Sequence, residues 1–169
     1  MALTPEYFLK APLALPQDVT NTGIPTEISS ANGQRLQDSI DTYEPMFLDL
    51  LLGNTLSKKY QEDESDIYAG LTEMLYDDTK KASVIAKFVY FWHLSDYSAY
   101  YTGESFSRGK SDNSTTISVV QKQVFVWKLM KDELKSIFEY LLNTTDENYS
   151  DLDTSGWVNL RLNYNSFGI

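Results

Sequence analysis

Apolar residues recur at helical spacing through the middle of the chain and lose that period towards both ends. Leu36, Ile40, Tyr43, Phe47 and Leu50 follow one another at intervals of four, three, four and three, which lays an apolar stripe along a helix over 34–52. Pro45 falls inside that stripe and is expected to kink or divide the helix near Tyr43. Gly53 supplies a stop, and Asn54 can cap a short helix through Tyr60. Ser65 or Asp66 opens a further helix carrying Ile67, Leu71, Met74 and Leu75. Asp77 and Asp78 are unfavourable at the negative end of its dipole, so it should stop near Tyr76.

The two strongest patterns come next. Over 80–101, Ile85, Phe88, Trp92 and Ala99 share one face, and Val84, Val89, Phe91 and Leu94 widen it, as in a helix surrounded by other elements. Over 118–142, Val120, Val124, Trp127, Leu134, Phe138 and Leu141 keep one stripe, with Lys128, Lys131 and Lys135 as a basic seam beside it. These two helices are read as the core. Between them, 102–117 is rich in Gly, Ser, Thr, Asn and Asp, with short strand tracts at 104–107 and 115–117 around a turn, which predicts a protruding hairpin. Residues 1–33 read as an arm: a short helix at 5–9, then a stretch broken by Pro12, Pro16, Gly23, Pro25 and Gly33. Its Leu3, Tyr7, Phe8, Leu9, Leu13 and Leu15 are expected to lie along a partner. Residues 144–169 read as a second arm whose Trp157, Val158, Leu160, Leu162, Tyr164 and Phe167 suit an edge strand. The fold class is therefore mainly α: a bundle of four or five helices over 34–143, one hairpin at 102–117, and extended N- and C-terminal arms.

Composition narrows the function more than it names it. The 169 residues hold no Cys and a single His, which removes disulfides, thiolate metal sites, cysteine nucleophiles and poly-His centres. Fourteen basic against twenty-four acidic side chains leave a net charge of −10, the wrong sign for gripping DNA or an anionic membrane. No apolar run is long enough to cross a membrane, and the first sixteen residues lack the basic start of a secretion signal, so a cytoplasmic origin is expected. The charge is segregated: 80–135 carries nine basic and five acidic groups, net +4, so the rest carries −14. Such a molecule can associate head to tail with its own copies.

Three constellations invite chemical readings. Asp151, Asp153, Ser155 and Gly156 match the opening of a calcium loop, but its twelfth position is Leu162 where a bidentate Glu is required, so a capped turn is expected and no metal. His93 has Ser95 and Asp96 close in sequence, yet Ser95 at i+2 points around the helix, so no Ser–His–Asp relay forms there and a buried His with one hydrogen bond is expected. Glu62, Asp63, Glu64 and Asp66 belong to a stretch, 61–78, with seven acidic residues and no basic one. That cluster reads as a solvated face or as mimicry of nucleic acid; a hydrolase built on it would lack every supporting motif. No catalytic residue and no cofactor are expected, and the chain is read as not an enzyme.

The centre of the chain resembles a known family. KFVYFWHLSD at 87–96, YTGE at 101–104, NST at 113–115 and a helix opening at VQK (120–122), with LQDSI at 36–40 and EPMFLDLLLG at 44–53, are similar to small head–tail connector (adaptor or neck-ring) proteins of Bacteroidetes tailed phages and prophages. The resemblance spans roughly 34–142. It implies a helical bundle with long loops and terminal arms, a structural subunit of a ring that links portal to tail or neck proteins, and a place at the head–tail junction of the virion. Its partners would be copies of itself, the portal and tail or neck proteins, with DNA passing through the channel without sequence-specific binding and no membrane. Subunit contacts are then expected from the hairpin, at Phe106, Arg108, Lys110 and Ile117, and from the tail, at Trp157, Tyr164 and Phe167. The rival expectation is a small acidic binding protein, a DNA mimic that inhibits a host nucleic-acid enzyme.

Overall fold

The computed structural model describes residues 2–15, 17–19, 25–28, 30–63, 66–97, 106–107 and 116–164. A 3-10 turn at Pro5–Phe8 opens the chain, and strands β1 (Gln17–Val19) and β2 (Pro25–Ile28) pair antiparallel before the first helix. Helices α1 (Ser30–Leu52), α2 (Asn54–Glu62) and α3 (Ala69–Leu75) follow. A two-residue ladder, β3 (Tyr76–Asp77) with β4 (Ala82–Ser83), leads into α4 (Val84–Tyr97). Strands β5 (Phe106–Ser107) and β6 (Thr116–Ile117) pair antiparallel and lead to α5 (Val119–Asn143). A second 3-10 turn at Glu147–Tyr149 and a short α6 (Trp157–Leu160) complete the order. The protein is mainly α-helical with small β hairpins, as its periodicity predicts; the hairpins at 17–28 and 76–83 carry no sequence signal that set them apart from loop.

The first helix runs unbroken through Pro45, contrary to the division expected near Tyr43. Proline there removes one donor, the one that would meet the Asp41 carbonyl, and Asp41 is exposed, where water can serve that carbonyl. Gly53 ends α1 with φ +79, a left-handed conformation that favours glycine, and donates its N–H to the Asp49 carbonyl at 3.0 Å. Gly53, not Asn54, occupies the cap position of α2. The fourth helix starts later than expected because Tyr76 and Asp77 pair with Ser83 and Ala82. Its opening is then capped by the Ser83 hydroxyl, which accepts from the N–H groups of Ile85 and Ala86 at 3.1 and 3.2 Å. A reciprocal capping box, Ser118 with Gln121, opens α5.

The core is one aromatic-rich cluster in which α4 packs between α1 and α5. Every residue of α4 from Val84 to Phe91 is buried. Phe47 of α1 meets Phe88 edge to face at 5.3 Å, and Phe91 lies 4.6 Å from the Trp127 ring of α5. The inward face of α5 is Val126, Trp127, Met130, Leu134, Ile137, Phe138 and Leu141; Val120, expected on that stripe, is exposed in the first turn.

The expected arms lie on this body over the residues described. Leu3, Tyr7, Phe8, Leu13 and Leu15 are buried, so the N-terminal segment spends its apolar side chains on the chain's own helices and not on a partner. At the other end no strand is found among residues 144–164. The strand expected there is replaced by turns and α6, because the backbone follows the anchoring of Trp157. Its ring stacks on Phe138 at 4.2 Å, and its indole N–H donates to the Leu51 carbonyl at 2.7 Å. Gly156 makes this approach possible: a Cβ there would fall 2.4 Å from the Leu50 oxygen.

Candidate functional site

The hairpin singled out by the sequence is present as a two-rung ladder. Phe106 is the register partner of Ile117, and Ser107 of Thr116. Arg108 and Lys110 of its turn, and Phe167 of the tail, lie outside the described residues. The other two tail residues serve the chain's own core. Trp157 is 4% exposed, which removes it from any free contact surface. Tyr164 is half-buried, with its ring 4.8 Å from Phe91 and 4.7 Å from Trp127. Trp157 is therefore corrected from a subunit contact to a core residue, while Tyr164 packs half-buried against the same core. Their aromatic bulk, which looked unpartnered in a segment without period, is partnered within the chain.

A polar hollow of about 320 Å³ lies between α1, α2 and α3. Glu44 lies at its base, one turn beyond Ile40 on the buried stripe of α1. The Glu44 carboxylate accepts from the Tyr76 hydroxyl at 2.6 Å and from the Leu3 N–H at 3.1 Å, which ties the first residues of the chain to α1. Burial pushes the Glu44 carboxyl above its ordinary range, against the pull of these two hydrogen bonds. The Tyr76 and Tyr60 hydroxyls are pushed up as well, each mainly by burial. Asp63 and Asp66 of the acidic stretch reach the mouth of the hollow, whereas Glu62 is exposed at the end of α2 and Glu64 lies outside the described residues. Among the described residues the wall contains no basic, imidazole or thiol side chain, and both oxygens of Glu44 are engaged by the Leu3 N–H or the Tyr76 hydroxyl. The chemistry of this hollow is that of a structural latch. Glu44 was not singled out by sequence reasoning, although a carboxylate on a buried stripe is a signal that such a group has dedicated partners.

His93 is fully buried on α4, with Nδ1 2.9 Å from the Ser39 hydroxyl of α1. Ser39 also donates to the Arg35 carbonyl at 2.9 Å. The arrangement that satisfies both bonds puts the ring proton on Nδ1. Burial brings the imidazole down to about 4, so it is neutral at pH 7. The hydrogen-bonded core histidine expected from the sequence is what stands here. A second polar group on α4, Lys87, is also buried; its ammonium meets Glu133 of α5 at 2.7 Å and the Ser83 carbonyl at 3.3 Å. That pair joins the two central helices, and the sequence signal for it was a lone lysine inside an apolar run.

The residues of the calcium-like loop are engaged with protein groups. Asp151 pairs with Lys59 of α2, and Asp153 accepts from the Ser155 N–H at 2.8 Å, which is the capped turn expected. Among the described residues no three His, Cys, Asp or Glu side chains gather closely enough to share a metal ion. Nor is any described helix long and apolar enough to cross a membrane. Compared with known proteins, the chain matches no family, no curated protein and no solved structure.

Proposed function

We propose that this chain is a non-enzymatic structural subunit of a homo-oligomeric ring at the head–tail junction of a tailed phage, where it links the portal to tail or neck proteins. The resemblance over 34–142 suggests that role, and one structural observation supports it. The core closes on α1, α4, α5 and the terminal segments. The β5–β6 ladder of only two rungs stands in the longest connection between the two central helices. A short antiparallel pair offers unpaired backbone groups at its edges, which a neighbour's strand can complete.

The test is deletion of 103–116 with a short Gly-Ser bridge. The helices on either side carry their own buried faces, and halving a loop changes its closure cost by only about 0.6 kcal/mol. Circular dichroism should keep its helical signal, while light scattering and negative-stain imaging should lose the ring. Rings of normal appearance from the deletion variant would remove the hairpin as a contact, and lost helicity would place it in the core. A second reading, a DNA-mimicking acidic inhibitor, is favoured by the exposed carboxylates Glu62, Asp66 and Glu73 around α3. Such a protein would stay monomeric or dimeric and bind a basic partner with steep salt dependence.

A further inference from the structure

Opposite the acidic stretch, α5 and α6 enclose an apolar groove of about 380 Å³. Phe138 and Leu160 form its floor, and Leu142, 64% exposed, stands at its edge, an unusual position for a leucine. Three cations rim it. Lys131 reaches the Asn163 side chain, and Lys135 pairs with Asp132 one turn back. Arg161 stacks its guanidinium over Phe138 at 4.6 Å and Trp157 at 5.4 Å, and among the described residues it meets no carboxylate. Among the described residues, Glu139 is the one acid in the lining. The local field is positive: Asp132 is held below the usual carboxylate range by Lys135 first, with Lys128 and Lys131 adding to it. The chain leaves the groove past Leu162, whose carbonyl accepts from the Trp127 indole at 2.8 Å, towards Tyr164 against Phe91.

The same molecule carries a counterpart. Between α2 and α3, Ile67 is 48% exposed and stands directly after Asp66, five residues beyond Glu62 at the end of α2. Among the described residues no cation pairs with Glu62 or Asp66; the nearest lysines in sequence are Lys58 and Lys59, and Lys59 is taken by Asp151. This corner lies across the body from the groove. Tyr140, about 180° around α5 from Lys131 at ~100° per residue, approaches Gly70 at the start of α3, where a Cβ would lie 2.9 Å from its hydroxyl. One copy therefore cannot fill its own groove with its own corner.

We infer that the α5–α6 groove is the socket for the acidic, Ile67-bearing corner of a second copy, with Ile67 on the apolar floor and Glu62 and Asp66 against Lys131, Lys135 and Arg161. The inference rests on the ring reading and gives it a contact, one whose two faces differ and which therefore repeats head to tail.

Sedimentation velocity over a concentration series at low and high salt tests it, with circular dichroism as the control for folding. The unsubstituted chain should associate increasingly with concentration and less in salt. Lys131→Glu/Lys135→Glu spoils the socket and Glu62→Lys/Asp66→Lys spoils the corner. Each alone should weaken association at least tenfold, and Leu142→Asp should do the same through a single exposed site. Mixed together, the two charge variants face each other with complementary charge at both contacts, unsubstituted corner on unsubstituted socket and reversed corner on reversed socket, and should recover association that neither shows alone. An unsubstituted chain that stays monomeric, variants that associate like it, or a mixture that stays monomeric would each overturn the inference, whatever acidic peptide the groove then takes up. Rings formed equally well by all variants leave the ring reading standing without this contact. Charge-dependent association with no ring in negative stain leaves the contact and removes the ring.

Discussion

Along α4, eight consecutive residues from Val84 to Phe91 are buried, whereas in the terminal segments burial falls on one or two residues at a time, with half-buried and exposed ones between. At the N-terminal end these are Leu3, Tyr7, Phe8, Leu13 and Leu15; beyond α5 they are Tyr149, Trp157 and Leu160. The helix holds its place by continuous apolar area and regular hydrogen bonding. The segments hold theirs by separate anchors, helped by polar handles to the body: the Leu3 N–H on Glu44, the Trp157 indole on Leu51, and the Leu162 carbonyl on Trp127. The difference teaches that absence of period is not absence of commitment to the core. An aromatic residue in an irregular segment can be as buried as one on a helical stripe, provided its polar atom finds a backbone partner.

The comparison breaks most visibly at the tryptophans. Trp127 belongs to the helical stripe and Trp157 to the irregular end, yet both are nearly inaccessible and both donate to a backbone carbonyl. Truncation of a buried tryptophan costs about 3–5 kcal/mol. Trp157→Ala and Trp127→Ala should therefore lower the urea midpoint by similar amounts. Trp92→Ala should cost less, since that ring is only half-buried and its indole N–H has no hydrogen-bond partner among the described residues. If Trp157→Ala leaves the midpoint near that of the unsubstituted chain, the C-terminal segment is laid loosely on the body and the two regions differ in stability as well as in pattern.

The helices and the 106–117 ladder were legible in the sequence because each carries a local signal: a stripe, a cap, or strand tracts around a turn. The terminal packing was not, because its signals are long-range. Nothing near Trp157 in sequence announces that Leu51 will offer a carbonyl, and nothing near Leu3 announces Glu44. The same holds for the contact residues. Trp157 and Tyr164 suit a subunit contact when no local partner is visible in the sequence, and the fold supplies distant partners within the chain. Lysines of the basic seam could be read from spacing alone, but their place on an apolar groove needed α6, whose four residues leave no periodic trace.

The joint between α1 and α4 offers a finer test of the regular region, through pH. His93 is brought down from 6.5 to about 4 by burial, so between those values the unfolded chain binds a proton that the folded chain refuses. Its stabilising contribution is complete above pH 6.5 and is lost as pH falls towards 4, by about 3 kcal/mol at 1.36 kcal/mol per unit. The groups facing the ring, Ser39, Arg35 and Asp96, modulate this without reversing it, since burial is the largest cause. Glu44 works with the opposite sign: its raised carboxyl favours the folded state at low pH, and that favour is lost as pH rises above the ordinary carboxylate range. Measured from pH 6.5 to 4, His93→Gln should show a flatter loss of stability than the unsubstituted chain. Equal slopes would mean that the histidine is reached by solvent protons without unfolding.

The smallest expected effect sharpens the irregular region. The loop from Asp151 to Gly156 has the oxygen spacing of a calcium site, but its groups already serve the packing of the C-terminal segment. Asp151 is held by Lys59, Asp153 by the Ser155 N–H, and the backbone N–H of Asp153 by the Leu52 carbonyl at 3.1 Å. Seating an ion would require the Lys59 pair to open and the turn to unwind, and Leu162 provides no carboxylate to compensate. Millimolar calcium should therefore leave the melting midpoint in place. Asp151→Ala should move it little, since the pair it removes is solvent-exposed and exposed pairs contribute weakly. A calcium-dependent rise that disappears in Asp151→Ala would show instead that the segment exchanges its Lys59 anchor for a metal, and that the irregular end of the molecule is held by an ion as well as by Trp157.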